Sequence, residues 1–272
     1  MVAYSHSRIS TFEQCRLKYK YQYIDRIKVD IPTTIEAHMG SAVHHALYIL
    51  YQELSKGNVL SEKELINIYE DAWQKDWDPN ILIAKHGHDD RMYLVKGRSY
   101  ISRYYAIHSP FDRLETLGLE TQDYLRLNNK DSYHIRIDRL ARNNESYFVI
   151  DYKTNNRAKT QSEINEDKQL AMYSLWVKEK YDASDVRLVW HFLTNGTTLT
   201  SIRKDDELLS LKEEILDKIS IIESADDYPP NPSGLCPYCV FKEICPAMNI
   251  NSIKSEHIII PKKIERQTKL NF

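Results

Sequence analysis

No stretch of this chain approaches the length of a membrane span, and its first residues, "MVAYSHSRIS", carry no apolar core of the kind a signal peptide needs. Both absences predict a cytosolic protein, a compartment in which thiols stay reduced. There is no internal repeat and no low-complexity segment. Nor is there an excess of charge: 37 Lys and Arg against 39 Asp and Glu leave a formal net charge of −2. That excludes a surface coated in positive charge but not local basic patches, which matter more for a polyanion. Four such patches stand out, "CRLKYKYQYIDRIK" (15–28), "IRIDRLAR" (135–142), "YKTNNRAK" (152–159) and "KKIERQTK" (262–269), and each alone reads as a solvated face. Cysteine is scarce too. Of only 4 in 272 residues, Cys236, Cys239 and Cys245 crowd into "CPYCVFKEIC" while Cys15 lies far upstream. Clustered reduced thiols bind metal more often than they pair as disulfides. Three make an incomplete tetrahedral site.

What is present is ordinary globular composition, 42% hydrophobic and 28% charged, in a chain of 272 residues that can bury one large core or two small ones. Ser10-Thr11-Phe12-Glu13 fits a capping box, and Phe12, Cys15, Tyr19 and Tyr23 recur at helical spacing, which predicts Cys15 on a helix. Residues 37–55 read as a second helix carrying His44, and 61–108 as further helix behind the capping box Ser61–Glu64, broken by "DPNILIAKHGHDD". The texture then turns to strands at 117–127, 132–142 and 146–154, with "NNE" as a polar turn. A helix at 162–181, a hairpin at 186–204 around Asn195-Gly196 and an amphipathic helix at 206–224 follow. This order predicts an α/β core with an antiparallel-rich sheet and an N-terminal helical layer. The Pro-rich "DYPPNPSG" leads into the cysteines.

The chemistry concentrates in "YHIRIDRLARNNESYFVIDYKT". It sets Asp138 near the end of one strand and Asp151 near the end of the next, with Lys153 on the same face as Asp151 by alternation. Two carboxylates at one spot repel unless a hard cation such as Mg²⁺ or Mn²⁺ lies between them. A nearby ammonium would help to activate a water or steady developing negative charge. Gln169 and Tyr173, four apart on a helix, point the same way.

Together these segments resemble the RecB/AddB-like branch of the PD-(D/E)xK nucleases that also carries an iron–sulfur cluster. "GSAVH" is similar to that family's Gly-Thr-x-x-His motif, with Ser41 in place of Thr, which implies a metal-site role for His44. "IDRL" and "VIDYKT" resemble its two acidic motifs, implying metal-ligand roles for Asp138 and Asp151, a catalytic role for Lys153 and metal contact through the Tyr152 main-chain carbonyl. "QLAMY" resembles its Gln-xxx-Tyr motif, placing Gln169 and Tyr173 on the DNA-facing side. Glu120, in "LGLETQ", sits where many members carry a Glu, a loose match. The resemblance also implies that Cys15 joins Cys236, Cys239 and Cys245 in a [4Fe-4S] clasp. Zinc would accept four thiolates as well, but structural zinc sites usually draw on two close pairs of ligands, so the one-plus-three arrangement suits a four-iron cluster better.

The expected fold is therefore a PD-(D/E)xK restriction-endonuclease-like core, a central mixed sheet flanked by helices. A single domain is expected over 1–260, with a helical insertion at about 56–112 and the clasp formed by Cys15 plus 234–248. The expected activity is metal-dependent DNA hydrolysis, as an exonuclease on single strands or ends in replication, repair or recombination. Alternatives are the CRISPR-associated relative that trims DNA for spacer acquisition and a non-catalytic cluster-bearing DNA- or clamp-bound module. In the tail 261–272, Gln267, Leu270 and Phe272 match the Gln-xx-Leu-x-Phe peptide that docks on a sliding clamp.

Overall fold

The computed structural model describes residues 2–31, 33–155 and 157–248. The tail with Gln267, Leu270 and Phe272 lies outside them. The core is a 6-stranded mixed sheet built from β1 (Val2–Tyr4), β2 (Glu115–Arg126), β3 (Asp131–Arg142), β4 (Tyr147–Lys153), β5 (Val186–Phe192) and β6 (Thr197–Ile202). The sheet is less antiparallel than the strand order implies, because β1 runs parallel to β3 and β4 parallel to β5. The second of these pairings follows from a crossover: α6 (Gln161–Asn165) and α7 (Lys168–Tyr181) carry the chain from β4 to β5.

Two apolar clusters sandwich the sheet. Under one face lie α1 (His6–Gln14), α2 (Arg16–Tyr19), α7 and α8 (Asp205–Glu223), packed on Tyr133, Ile135, Ile137 and Trp190. Over the other lie α3 (Ile35–Ser55), α4 (Glu62–Lys75) and α5 (Asp90–His108), packed on Ala141, Ile150, Tyr152 and Val189. Among the described residues no helix is long and apolar enough to cross a membrane.

Several boundaries follow local chemistry already legible in the sequence. Ser61 and Glu64 close the expected capping box, and Asn143 accepts from the main chain of Glu145 and Ser146 in the turn between β3 and β4. Gly196 takes a φ of 76° in the turn after β5, beside Asn195. Ser10, by contrast, lies inside a helix. The N-cap is Ser5, which accepts from the Arg8 N–H, and α1 starts five residues earlier than its apparent capping box. Cys15 is not helical either: at φ −160°, ψ 109° it is the extended break between α1 and α2. The helix expected over 162–181 is also two, parted where Asp167 caps α7.

Gly97 shows why a glycine sits inside α5. A Cβ there would overlap the hydroxyl and ring tip of Tyr69, a residue of α4 with no exposed surface. At an open helical site Gly→Ala would stabilise by about 1 kcal/mol. Here overpacking of about 1–3 kcal/mol opposes it. Gly97→Ala should therefore lower the melting temperature, and adding Tyr69→Phe should recover part of the loss. A rise in melting temperature on Gly97→Ala would contradict this packing.

Behind β4, His191 stacks on Tyr152 (5.7 Å between ring centroids) and meets His108 edge-on at 4.7 Å. Burial, with His108 and Arg139 adding like charge, pushes His191 down to about 3; burial, with Arg113 and Arg139, pushes His108 down to about 4. Both values lie below that of an unfolded histidine, so the stability from keeping these rings neutral is present above about pH 6.5 and falls away below it. For His191 the loss approaches about 1.4 kcal/mol per pH unit. Melting curves from pH 7 to pH 4 should fall steeply for wild type and less so for His191→Gln.

Candidate active site

The site forms where strands part. β2 pairs with β3 over nearly its whole length on one edge, leaving the other edge to β1 at residues 131–133 and to β4 at 139–142. Asp138 lies just past the last β3–β4 pair, Arg139↔Ile150, in the interior of β3 and not near its end as expected. Its Oδ2 accepts from the Tyr152 N–H at 2.8 Å, a side chain standing in for the interrupted ladder. The strand also changes face here. Tyr133, Ile135 and Ile137 face the α7 side, yet so does Leu140, while Ala141 faces α3. Opposite Asp138 on β2 the register skips Glu120, which adopts φ 45°, a left-handed conformation uncommon for a residue with a side chain. The irregularity turns the Glu120 carboxylate toward α3.

From α3 comes His44. Gly40, one turn earlier, lets the helix approach the end of β4, since a Cβ there would stand 3.1 Å from Thr154 Oγ1. His44 Nε2 donates to the Tyr152 carbonyl at 2.8 Å, which leaves Nδ1 facing Asp138 Oδ2 at 3.5 Å and Glu120 Oε1 at 3.9 Å. Among the described residues, His44, Glu120 and Asp138 are the one such group whose donor atoms all lie within 4.8 Å of one another. Burial alone would lower the His44 pKa, but the charge of Asp138 and hydrogen bonds to Asp138 and Glu120 push it up to about 10. In this state a proton on Nδ1 offsets the carboxylates.

Next to them, Asp151 Oδ2 forms an ion pair with Lys153 Nζ at 2.8 Å. Burial and the neighbouring Asp138 raise the Asp151 pKa against the pull of Lys153. Burial works against the charged form of Lys153 too, but Asp151 and Asp138 outweigh it and hold the ammonium. Lys153 Nζ also donates to Gln169 Oε1 at 3.4 Å, and Gln169 Nε2 to the Tyr173 hydroxyl at 3.3 Å. All the motif residues thus line one open cavity of about 1020 Å³, with Ser5, Ser41, His45, Tyr48, His134 and Arg136. The donor set, carboxylate oxygens of Glu120, Asp138 and Asp151 with one imidazole nitrogen around an open cavity, suits a hard divalent cation. Only a loose match to the family's pattern hinted at Glu120 in the sequence, because its place depends on a left-handed backbone that no motif announces.

The four cysteines are brought together elsewhere. Cys15, Cys236, Cys239 and Cys245 line a second, small cavity of about 60 Å³. Leu17 N–H donates to Pro229 O at 3.3 Å, and Asn231 Nδ2 to Gln14 O at 2.9 Å, so the Pro-rich connector is laid across the break at Cys15. Cys239 and Cys245 each end a short 3₁₀ turn, and Phe241 between them is buried against Tyr21.

The chain belongs to the PD-(D/E)XK nuclease superfamily, whose family model matches residues 3–246. This places it among the metal-dependent nucleases. The comparison with curated proteins gives no match. Among solved structures, the crystal structure of SSO0001 aligns over 89% of this chain and 95% of that one. The two share 18% identity, with a TM-score of 0.36.

Proposed function

We propose that this chain is a divalent-metal-dependent deoxyribonuclease acting on single strands or ends. The observation that carries it is the convergence of His44 Nδ1, Glu120 and Asp138 within 4.8 Å, beside the Asp151–Lys153 pair. Mg²⁺ or Mn²⁺ would be held by His44, Asp138 and Asp151, with Glu120 and the Tyr152 carbonyl at hand, and would polarise the phosphodiester and favour attack by water. Mn²⁺ tolerates the nitrogen ligand well. Lys153 presents a fixed ammonium to the charge that develops on the phosphate oxygens, and Gln169 holds that ammonium in place. Tyr173 and Gln169 face the strand. The intact Asp138, Asp151 and Lys153 set speaks for a catalyst over a binding-only module.

Labelled single-stranded DNA, duplex DNA and RNA, each incubated with Mg²⁺, Mn²⁺ or EDTA, test the proposal. The expected result is DNA hydrolysis that requires the cation and stops with EDTA. Cleavage indifferent to EDTA, or RNA cut in preference to DNA, would sink it.

The same proposal gives the cysteine cavity a [4Fe-4S] cluster with a structural role. All four cysteines line that one cavity, which supports a shared ligand set, and the arrangement of one distant and three clustered thiols favours a four-iron cluster over the paired ligands of structural zinc. Docking of Gln267, Leu270 and Phe272 on a sliding clamp is proposed from the sequence of the tail alone.

A further inference from the structure

The β2–β3 ribbon continues beyond the metal-binding constellation, and on the face it presents there Gln122, Tyr124, Arg126 and Arg136 are exposed, His134 is half-buried and Ser132 is buried. Its register places Gln122 opposite Arg136, Tyr124 opposite His134 and Arg126 opposite Ser132. Directly opposed residues share a face, and so do alternate residues along a strand, so these six form one surface. The reverse face of the same stretch, through Tyr133, Ile135 and Ile137, is packed into the core on α7. The six-residue face continues into the proposed active site: Arg136 and His134 line the cavity that holds Asp138, and Arg136 Nη2 reaches Glu120 Oε2 at 3.2 Å.

Three properties of this face fit a particular ligand. It carries two arginines and no carboxylate beyond Glu120 and Asp138. Between the arginines, the Tyr124 ring lies 5.2 Å from that of His134, tilted by 35°. Tyr124 is 58% exposed, its ring held on the outer face of the ribbon beside that of His134. Arg136 is similarly open, its side chain 62% exposed. Exposed aromatic faces set between phosphate-binding cations, in a groove that leads to a hydrolytic site, are what an unpaired strand requires. A duplex offers no free base faces to such a platform.

Resting on the nuclease reading above, we infer that this face is the single-strand track of the enzyme: a base stacks on Tyr124 and His134, while Arg136 and Arg126 take the flanking phosphates and lead the strand to Asp138. Arg136 then serves two partners, Glu120 in the free protein and a phosphate when the strand is bound.

The test measures binding apart from cleavage. A fluorescein-labelled oligothymidylate of about twelve nucleotides, within the span such grooves cover, is titrated in EDTA and followed by anisotropy. Tyr124→Ala and the better-packed Tyr124→Leu should each weaken binding by about ten-fold, the effect of losing one stacked base, while Tyr124→Phe stays within about two-fold. Arg136→Gln should reduce the slope of log affinity against log salt by about 0.7, one phosphate contact on a single strand. Tyr181→Ala, a partly exposed ring that packs on Tyr147 and Trp176 and does not line the cavity, should bind as wild type, and a blunt hairpin duplex should bind alike to wild type and the Tyr124 variants. Wild-type affinity in Tyr124→Leu overturns the track, and if metal-dependent cleavage persists the nuclease reading stands without it. Tyr124-dependent binding with no cleavage keeps the track and removes the nuclease.

Discussion

Lys153→Ala should lower the rate of metal-dependent DNA hydrolysis by about 10²–10³-fold, the cost of removing one preorganised donor from a developing anion. The ammonium is half-buried and held from two sides, by Asp151 Oδ2 at 2.8 Å and Gln169 Oε1 at 3.4 Å, which preorganises it. Asp151→Ala should fall at least as far, because it removes a proposed ligand and leaves Lys153 half-buried beside a weaker partner. Gln169→Ala frees both Lys153 and Tyr173 from the group that holds them and should cost about 10–100-fold, the usual range for a group that orients another. Single-turnover rates at saturating Mn²⁺ would check the ranking. Equal degradation by wild type, Asp151→Ala and Lys153→Ala would remove this site from the mechanism.

Cys15→Ala is the second large effect. The segment 234–248 has little of its own to hold it: two single-turn 3₁₀ elements and one buried side chain, Phe241. Its proposed anchor is the cluster, and ligation energy in a site that forms only on folding is folding energy, on the order of several kcal/mol. Cys15 is the one ligand drawn from the other end of the chain, at the break between α1 and α2 that the connector crosses. Cys15→Ala, purified without oxygen, should lose most of the iron and sulfide expected at about four each per chain. The segment after Tyr228 should then yield to protease first, and hydrolysis should decline as a consequence. A full cluster in Cys15→Ala would show that the chain ends are not joined in this way.

Much of the site could be read from the chain because its signals are local. Asp151 and Lys153 share a face by alternation alone, and Gln169 and Tyr173 by helical spacing. Ser61 and Asn143 announce their caps and turns within four residues. What escaped the reading depends on partners far away in sequence. The strand Val2–Tyr4 is too short to show a period and exists because the β3 edge before Asp138 is free. Ser10 heads a plausible capping box, but Phe12 and Ile9 pack better on a helix begun at Ser5. Cys15 falls at helical spacing yet lies in a break, because Gln14 O and Leu17 N–H bond to the connector.

By itself, then, the sequence determined which groups are the candidates for chemistry, since their types and short spacings are covalent facts: Asp138, Asp151 and Lys153 for the proposed hydrolysis, and four thiols for the proposed cluster. Only the tertiary structure decided how those groups meet. It parted β3 from β4 at Asp138, turned Glu120 inward on a left-handed backbone, brought His44 from α3 to both, and left most of one face of the β2–β3 ribbon uncovered. Each of these depends on register and layer packing between segments far apart in the chain, and such energies have no local signature.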